Sequence, residues 1–188
     1  MTPTPPGGVS VPPPPVMSSA RLDLVSLSVE ILRCIVADDR ATISRLLDAR
    51  LAEEWMRGRG DLARMWIDRI GAEPDHAPWL ARAVVLRDPS RVVVGDAGFH
   101  MKPDARGFVE VGYTVEPAFR RLGYAEEAVR ALADGAARAG AVGLRASVSP
   151  SNGASLALVK KLGLVAVGRH VDEEDGEETV FEGPLPLR

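Results

Sequence analysis

Apolar and polar residues alternate over residues 109–115, and a repeat of two residues is typical of a β-strand. Pro117 ends the pattern, because proline cannot donate a hydrogen bond to a neighbouring strand. From Ala125 onward the apolar residues recur at helical spacing as far as Gly140, a residue type that commonly ends a helix. The sequence therefore predicts a strand that passes through a short turn onto the N-terminus of a helix.

The same two periodicities divide the rest of the chain into shorter elements. Turn residues separate them, among them Asp88-Pro89-Ser90 and, in a closing hairpin, Asp175-Gly176. We expect strands over 22–28, 79–86, 91–99, 144–149, 164–171 and 179–185, and helices over 29–37, 42–51, 62–70 and 154–162. This mixture of elements predicts an α/β domain.

Residues 1–20 differ in composition from everything that follows. They carry no charged side chain and are rich in proline, with four consecutive prolines at 12–15. Proline fits neither a helix interior nor a central strand, so we expect a disordered or polyproline tail over 1–20 and one domain over 21–188. Hydrophobic residues make up 46% of the chain, enough for that domain to form an ordinary core.

Composition and charge exclude several functional classes. The net charge is -3, which does not suggest a nucleic-acid partner. The single cysteine, Cys34, excludes a disulfide within the chain and is typical of a reducing compartment. With no secretory signal and no apolar run long enough to span a bilayer, we expect a cytoplasmic protein without a membrane partner. His76, His100 and His170 are too widely spread for a zinc site, and we expect no metal.

The turn before the central helix has the composition of an anion-binding site. A helix N-terminus presents unpaired N–H groups and a partial positive charge. Gly123 and Ala125 let a phosphate approach the backbone, and Arg120 or Arg121 adds a full positive charge. The residues therefore predict a pyrophosphate site, although junctions of this composition that bind nothing are about as common.

Two blocks of sequence resemble motifs of the GNAT-type N-acetyltransferases. The first, VGYTVEPAFRRLGYA at 111–125, is similar to the family's Arg/Gln-x-x-Gly-x-Gly/Ala motif, with Arg120, Gly123 and Ala125 at its three defined positions. The second, ASVSPSNGASLALVKKLGL at 146–164, is similar to the family's fifth strand, its asparagine and its Lys-Leu-Gly-Phe ending, with Asn152 as the asparagine and Leu164 replacing phenylalanine. The details resemble the branch that acts on ribosomal-protein N-termini and related amines.

The resemblance implies an α/β fold with a mixed, mostly antiparallel sheet flanked by helices, which splays between the strand of Glu110 and the strand of Leu144. It also implies direct transfer of an acetyl group from acetyl-CoA to a primary amine, either a protein N-terminus or a small molecule. A homodimer is expected only by analogy. The residues expected to bind acetyl-CoA are Tyr113, Thr114, Val115, Arg120, Arg121, Leu122, Gly123, Tyr124, Ala125 and Asn152.

Acetyl transfer needs a base for the amine proton and donors for developing negative charge. Glu110, a polar residue on the central strand, is the first candidate base, although an ordinary surface carboxylate is an equal alternative. His100, at the end of the preceding strand, is the second candidate, and Ser155 is a weaker candidate near the sulfur. Many family members carry a general-acid tyrosine seven residues after the asparagine, but this chain has Val159 there. The acid therefore stays open between Ser155, Tyr124 and a water molecule.

Two alternative functions follow from the same residues. The main one is a non-catalytic acyl-CoA-binding sensor or interaction domain, which the missing tyrosine favours. A nucleotide-binding domain of another class is disfavoured, because the chain lacks both the GxxxxGK(S/T) and the GxGxxG patterns. Trp55 and Trp66 fit core packing better than a wall of the acceptor site, and the carboxylates of 172–178 fit a solvated turn better than an acceptor-attracting surface.

Overall fold

The computed structural model describes residues 12–172 and 176–187. The strands in these ranges are β1 (Val16–Ser18), β2 (Leu22–Ser26), β3 (Arg50–Leu51), β4 (Arg82–Leu86), β5 (Val92–Phe99), β6 (Phe108–Val115), β7 (Gly143–Val148), β8 (Val165–Asp172) and β9 (Gly176–Pro184). The helices are α1 (Val29–Val36), α2 (Arg40–Leu47), α3 (Arg59–Ala72), α4 (Tyr124–Arg138) and α5 (Gly153–Lys161). Short 3₁₀ turns at Pro74–His76 and Pro117–Phe119 precede β4 and α4.

The strands form one sheet in the order β1-β2-β4-β5-β6-β7-β9-β8, with β3 beside β5. Every pair of neighbours along this path is antiparallel except β6 and β7, and the short β3 also pairs in parallel with β5. The α/β class and the mixed, mostly antiparallel sheet flanked by helices are thus confirmed.

Helices cover both faces of the sheet and create two hydrophobic cores. Helices α4 and α5 pack on one face, where Leu132 has no exposed surface. Small residues along the buried side of α4 let it lie close to the strands, as at Ala136. Helices α1 to α3 pack on the other face around Trp55, which is fully buried, while Trp66 is partly buried against the same cluster. Core packing is therefore the role of Trp55, as expected.

The sheet opens between β6 and β7. These parallel strands pair only from Phe108 to Glu110, against Gly143 to Arg145. Beyond Glu110, β6 stays paired with β5 as far as Val115, and β7 stays paired with β9. The two strands therefore separate after Glu110, and the expected splay is confirmed.

The described part of the N-terminal segment contains a strand that the sequence did not predict. Residues 1–11 lie outside the described ranges, but Val16–Ser18 forms edge strand β1, and Met17 is only 3% exposed. The tail prediction is therefore wrong over 16–18. Proline lacks an N–H group, but its carbonyl oxygen can still accept a hydrogen bond, and Arg82 donates to two such carbonyls. This fully buried guanidinium donates to the carbonyls of Pro14 at 2.8 Å and Pro15 at 3.0 Å.

Smaller differences concern the edges of elements. Residues 79–81 precede β4 rather than belonging to it, and the two-residue strand β3 was not expected. The backbone passes close to its neighbour at Gly98, because a Cβ there would lie 2.6 Å from the Cα of Ala81. The acidic turn over 172–178 lies partly outside the described residues. No helix in the described ranges is long and apolar enough to cross a bilayer.

Candidate active site

The turn between β6 and α4 leaves a helix N-terminus open. Gly123 caps α4 in the left-handed conformation, with φ of 83°, and no side chain fills the cap. Arg121 also has a left-handed backbone, with φ of 63°. Left-handed residues within a short turn direct backbone N–H groups toward one side of it, an arrangement suited to anions. The first turn of α4 is therefore available to a phosphate.

Two arginines brace this turn. Arg120 folds back and donates from Nε to the carbonyl of Val115, at 2.9 Å. Arg21, from the loop between β1 and β2, donates to the carbonyl of Leu122 at 3.1 Å and lies 4.7 Å from the centre of the Tyr124 ring. Sequence reasoning missed Arg21, because about one hundred residues separate it from the turn and no local pattern marks it.

A cavity of about 740 Å³ extends from this turn along the α4 and α5 face of the sheet. All residues expected to bind acetyl-CoA line it except Leu122, whose side chain is 52% exposed. The candidate Ser155 also lines it. Further lining residues, which the sequence did not indicate as binding residues, are Phe119, Glu126, Ala154, Ala157, Leu158 and Lys161. The structure thus brings two distant blocks of sequence together around one space.

Helix α5 presents two polar groups to this cavity. Asn152 caps the helix by accepting a hydrogen bond from the backbone N–H of Ser155, at 3.1 Å. Ser155 in turn receives a hydrogen bond from the hydroxyl of Tyr113, at 3.0 Å. Burial raises the pKa of the Tyr113 phenol, and its hydrogen bond with Ser155 opposes that shift. Val159 is only 1% exposed and belongs to the core.

An ion pair joins α4 and α5 beside the cavity. The ammonium of Lys161 lies 2.6 Å from the Glu126 carboxylate. Its hydrogen bond is the main reason why the pKa of Glu126 is lowered, and Arg130 adds to the effect. Lys161 also lies on the cavity wall, so its ion pair with Glu126 borders the space where a ligand would bind.

The candidate bases lie on the opposite face of the sheet, at the point where it opens. Glu110 is the last residue of β6 to pair with β7, and it accepts a hydrogen bond from the hydroxyl of Ser147 at 2.6 Å. The backbone N–H of His100 donates to the carbonyl of Glu110, at 2.9 Å. The exposed His100 ring lies over Gly112, since its Nε2 is 2.8 Å from where a Cβ would be. Glu110 and His100 are therefore neighbours on one face.

A buried charged cluster lies farther along the same face. Arg59 of α3 donates from Nε to Asp96 at 2.8 Å, and another nitrogen of its guanidinium lies 3.0 Å from the Glu116 carboxylate. Burial raises the pKa of Asp96, an effect that Arg59 opposes and Glu116 reinforces. This cluster holds one cation and two carboxylates, and no sequence motif indicated it.

Together these features define a class of protein. An open helix N-terminus, a long cavity and a sheet that separates beside it fit a phosphorylated thioester such as an acyl-CoA, with the phosphates at the turn. Among the described residues, no group of three His, Cys, Asp or Glu side chains is arranged to hold a metal ion. The fold and cavity are those of an acyl-CoA-dependent transferase.

Comparisons with known proteins agree with this class. A family model described as an acetyltransferase (GNAT) domain matches residues 31–165. A Vibrio cholerae structure, proposed to be a ribosomal-protein-serine acetyltransferase, is 18% identical, with a TM-score of 0.63 over 93% of this chain and 99% of that chain. The microcin C7 self-immunity acetyltransferase MccE, solved with acetyl-CoA and AMP, is 11% identical, with a TM-score of 0.61 over 89% and 94% of the two chains. The ribosomal L7/L12 alpha-N-protein acetyltransferase RimL, solved with coenzyme A, is 14% identical, with a TM-score of 0.61 over 90% and 97%. No curated protein sequence matches.

The family model spans most of the chain, so the chain belongs to the GNAT acetyltransferase family. It is an acetyl-CoA-dependent acyltransferase, and acetyl-CoA is its co-substrate.

Proposed function

We propose that the protein transfers the acetyl group of acetyl-CoA directly to a primary amine. The observation that carries this proposal is the position of Glu110, where β6 and β7 separate. A ligand whose phosphates lie at Gly123 and whose thioester enters the gap would meet a carboxylate on the far side of the sheet. Because the two substrates then approach from opposite faces, the amine can attack without an acetylated protein intermediate.

In this proposal the residues divide the chemistry between them. The N–H groups of the Gly123–Ala125 turn, with Arg120 and Arg121 beside them, hold the pyrophosphate. The exposed edge of β6 from Tyr113 to Val115 pairs with the pantetheine arm, and Asn152 holds the arm from the α5 side. Glu110 takes the proton from the attacking amine, directly or through a water molecule, and His100 is the alternative base beside it.

The amine belongs either to a protein N-terminus or to a small molecule. A protein N-terminus is supported by the resemblance to the ribosomal-protein branch, whereas the exposed surface around His100 would admit either. We also place the reaction in the cytoplasm, and the support is the single cysteine, which can form no disulfide within the chain.

The first experiment is thermal unfolding with acetyl-CoA, and with ATP and NAD as control ligands. A ligand present at 100 times its dissociation constant stabilises the folded state by about 2.7 kcal/mol, which is readily measured. We expect acetyl-CoA alone to stabilise the protein. Gly123→Glu and Arg121→Glu should each remove the effect, because each adds negative charge where the phosphates bind. Gly71→Glu is the matched control, since Gly71 is an exposed helical residue and a Cβ built on it would have no neighbour within 4 Å.

An amine panel then separates catalysis from binding alone. Release of free CoA with peptides bearing free N-termini, or with small amines, supports the proposal and identifies the acceptor class. Stabilisation by acetyl-CoA without turnover on any amine supports the sensor alternative instead. If acetyl-CoA at millimolar concentration leaves the unfolding temperature unchanged, the proposed binding mode is wrong.

A further inference from the structure

Two hydroxyl groups meet across the cavity, one from β6 and one from α5. The Tyr113 hydroxyl donates to Ser155 Oγ at 3.0 Å, and both residues line the cavity. Because Ser155 accepts this hydrogen bond, its own O–H group is left for a further acceptor. Its backbone N–H is already bound by Asn152, so the first turn of α5 holds the serine in place.

The chain supplies no phenol from α5 itself. Val159, one helical turn beyond Ser155, is buried in the core and offers no polar group to the cavity. The chain has two tyrosines. Tyr124 lies at the phosphate end of the cavity beneath Arg21, whereas Tyr113 lies on the strand that borders the gap. Strand β6 therefore brings a phenol to a helix that lacks one.

We infer that Tyr113 is a positioning residue, which orients Ser155 so that the serine hydroxyl donates a hydrogen bond to the sulfur as the carbon–sulfur bond breaks. This inference rests on the proposed function. The amine nitrogen forms the new bond to the carbonyl carbon, and the electron pair of the broken bond goes to sulfur. The amine proton passes through Glu110 to solvent, and the thiolate takes a proton from water. Ser155 and Tyr113 keep their own protons throughout.

The surroundings of the pair suit this role. A thiolate is a good leaving group, so a hydrogen bond to the developing charge is sufficient and full protonation is not required. Burial keeps the pKa of the Tyr113 phenol above its ordinary value, so the phenol stays protonated and keeps donating to Ser155 at neutral pH. A chain of two hydroxyls also polarises each bond in the direction of the sulfur.

The test compares binding of CoA and desulfo-CoA over a range of pH, by calorimetry on the full chain. Desulfo-CoA has no thiol, so the ratio of the two affinities reports only interactions of the sulfur. A donor at the sulfur favours the thiolate, so in the unchanged protein CoA should gain affinity over desulfo-CoA as pH rises through the thiol pKa. In Tyr113→Phe and Ser155→Ala we expect that gain to shrink by about tenfold.

Turnover gives a second measurement. We expect kcat to fall about tenfold in Tyr113→Phe and by about 10- to 100-fold in Ser155→Ala, with the double variant no worse than the serine variant. Ser151→Ala is the control, because it removes a nearby hydroxyl in the loop before α5, whose hydrogen-bond partner among the described side chains is Ser149. That variant should behave like the unchanged protein.

Each contrary result has its own meaning. If Tyr113→Phe keeps the full pH-dependent preference for CoA, the inference is overturned while the proposed function stands. If Tyr113→Phe also weakens binding of desulfo-CoA, the phenol shapes the cavity and does not act on the sulfur. That result also overturns the inference. If the unchanged protein binds neither compound, the proposed function fails and the inference fails with it.

Discussion

At the scale of single residues, Glu110 carries most of the proposed chemistry. Its carboxylate is bound by the Ser147 hydroxyl across the last paired position of β6 and β7. A glutamine at this position keeps an oxygen that can accept the same hydrogen bond, but it cannot take a proton from an amine. Exchange of the carboxylate for an amide therefore tests the base without disturbing the strand.

We expect Glu110→Gln to lower kcat about 100-fold while the affinity for acetyl-CoA stays within twofold, since general-base catalysis commonly contributes that much. Steady-state release of CoA and calorimetric binding measure the two quantities. Glu177→Gln is the control, because it makes the same exchange at an exposed carboxylate in the β8–β9 hairpin. Equal rates for Glu110→Gln and the unchanged protein would contradict the assignment and direct attention to His100.

The residues of this site differ in how far the sequence could reveal them. Gly123, Arg120 and Asn152 lie in short motifs beside a predicted helix, where spacing alone places them together. His100 and Glu110 lie next to each other because of the register between β5 and β6, and the periodicity of the sequence does not specify that register. Arg21 and Arg59 reach the site from distant parts of the chain, and arginines in their sequence surroundings are ordinary surface residues. Local patterns could not indicate them.

At the scale of elements, the buried cluster of Arg59, Asp96 and Glu116 ties α3 to β5 and to the end of β6. The cluster joins the helix on one face of the sheet to Glu116, which precedes the turn proposed to bind phosphate. The guanidinium also lies 5.3 Å from the centre of the Trp55 ring. Loss of the single cation would leave two buried carboxylates facing each other.

We therefore expect Arg59→Met to lower the free energy of unfolding by about 3–5 kcal/mol, the usual cost of leaving a buried charge without its partner. Asp96→Asn should cost much less, because one carboxylate then remains for one guanidinium. Urea unfolding at pH 7 compares the variants. Similar losses in both would contradict the expectation that unpaired carboxylates account for the cost of losing the arginine.

The pH dependence of this cluster has a definite sign. Burial raises the pKa of Asp96 in the folded protein, so between its ordinary value and the raised value the folded state binds more protons than the unfolded state. Stability contributed by Asp96 therefore falls as pH rises through that window. This fall is absent in Asp96→Asn. From about pH 4 upward, the free energy of unfolding of the variant should therefore rise relative to that of the unchanged protein, until the difference becomes constant above the raised pKa. A constant difference over the whole range would contradict the raised pKa.

Elements with strong periodicity were the most predictable ones. The repeat and the turn of the β6–α4 unit predict both elements, because both patterns are local. Strand β3, with two residues, is too short to produce a repeat, and β1 was obscured by the prolines before it. Such elements exist because neighbouring strands present free hydrogen-bonding groups to them, which is a property of the assembled sheet.

At the scale of the whole molecule, residues 14–18 pack against the rest of the fold. Arg82 is fully buried and donates to the carbonyls of Pro14, Pro15 and Pro78. Burial lowers its pKa to about 10, so the guanidinium is still charged at neutral pH. Carbonyl oxygens contributed by two distant prolines therefore stabilise a cation inside the protein.

We expect removal of residues 1–15 to lower the free energy of unfolding by about 3 kcal/mol, since two hydrogen bonds to a charged group are lost. Removal of residues 1–11 keeps all three carbonyls and is the control. Chemical denaturation measures both, and Arg82→Met in the shorter protein should restore part of the loss. Equal stability of the two shortened proteins would show that the carbonyls of Pro14 and Pro15 contribute little.

The opening between β6 and β7 also bears on the order of binding and release. A sheet ordinarily keeps its two faces apart, but in the proposed mode of binding the acetyl-CoA cavity and the Glu110 carboxylate meet at the point where β6 and β7 separate. An amine analogue bound near His100 would leave the acetyl-CoA route free, so it should act as a noncompetitive inhibitor with respect to acetyl-CoA. The acetylated product can likewise depart by the route its amine used while CoA is still bound. Exchange of CoA for fresh acetyl-CoA then becomes a separate event, with its own rate.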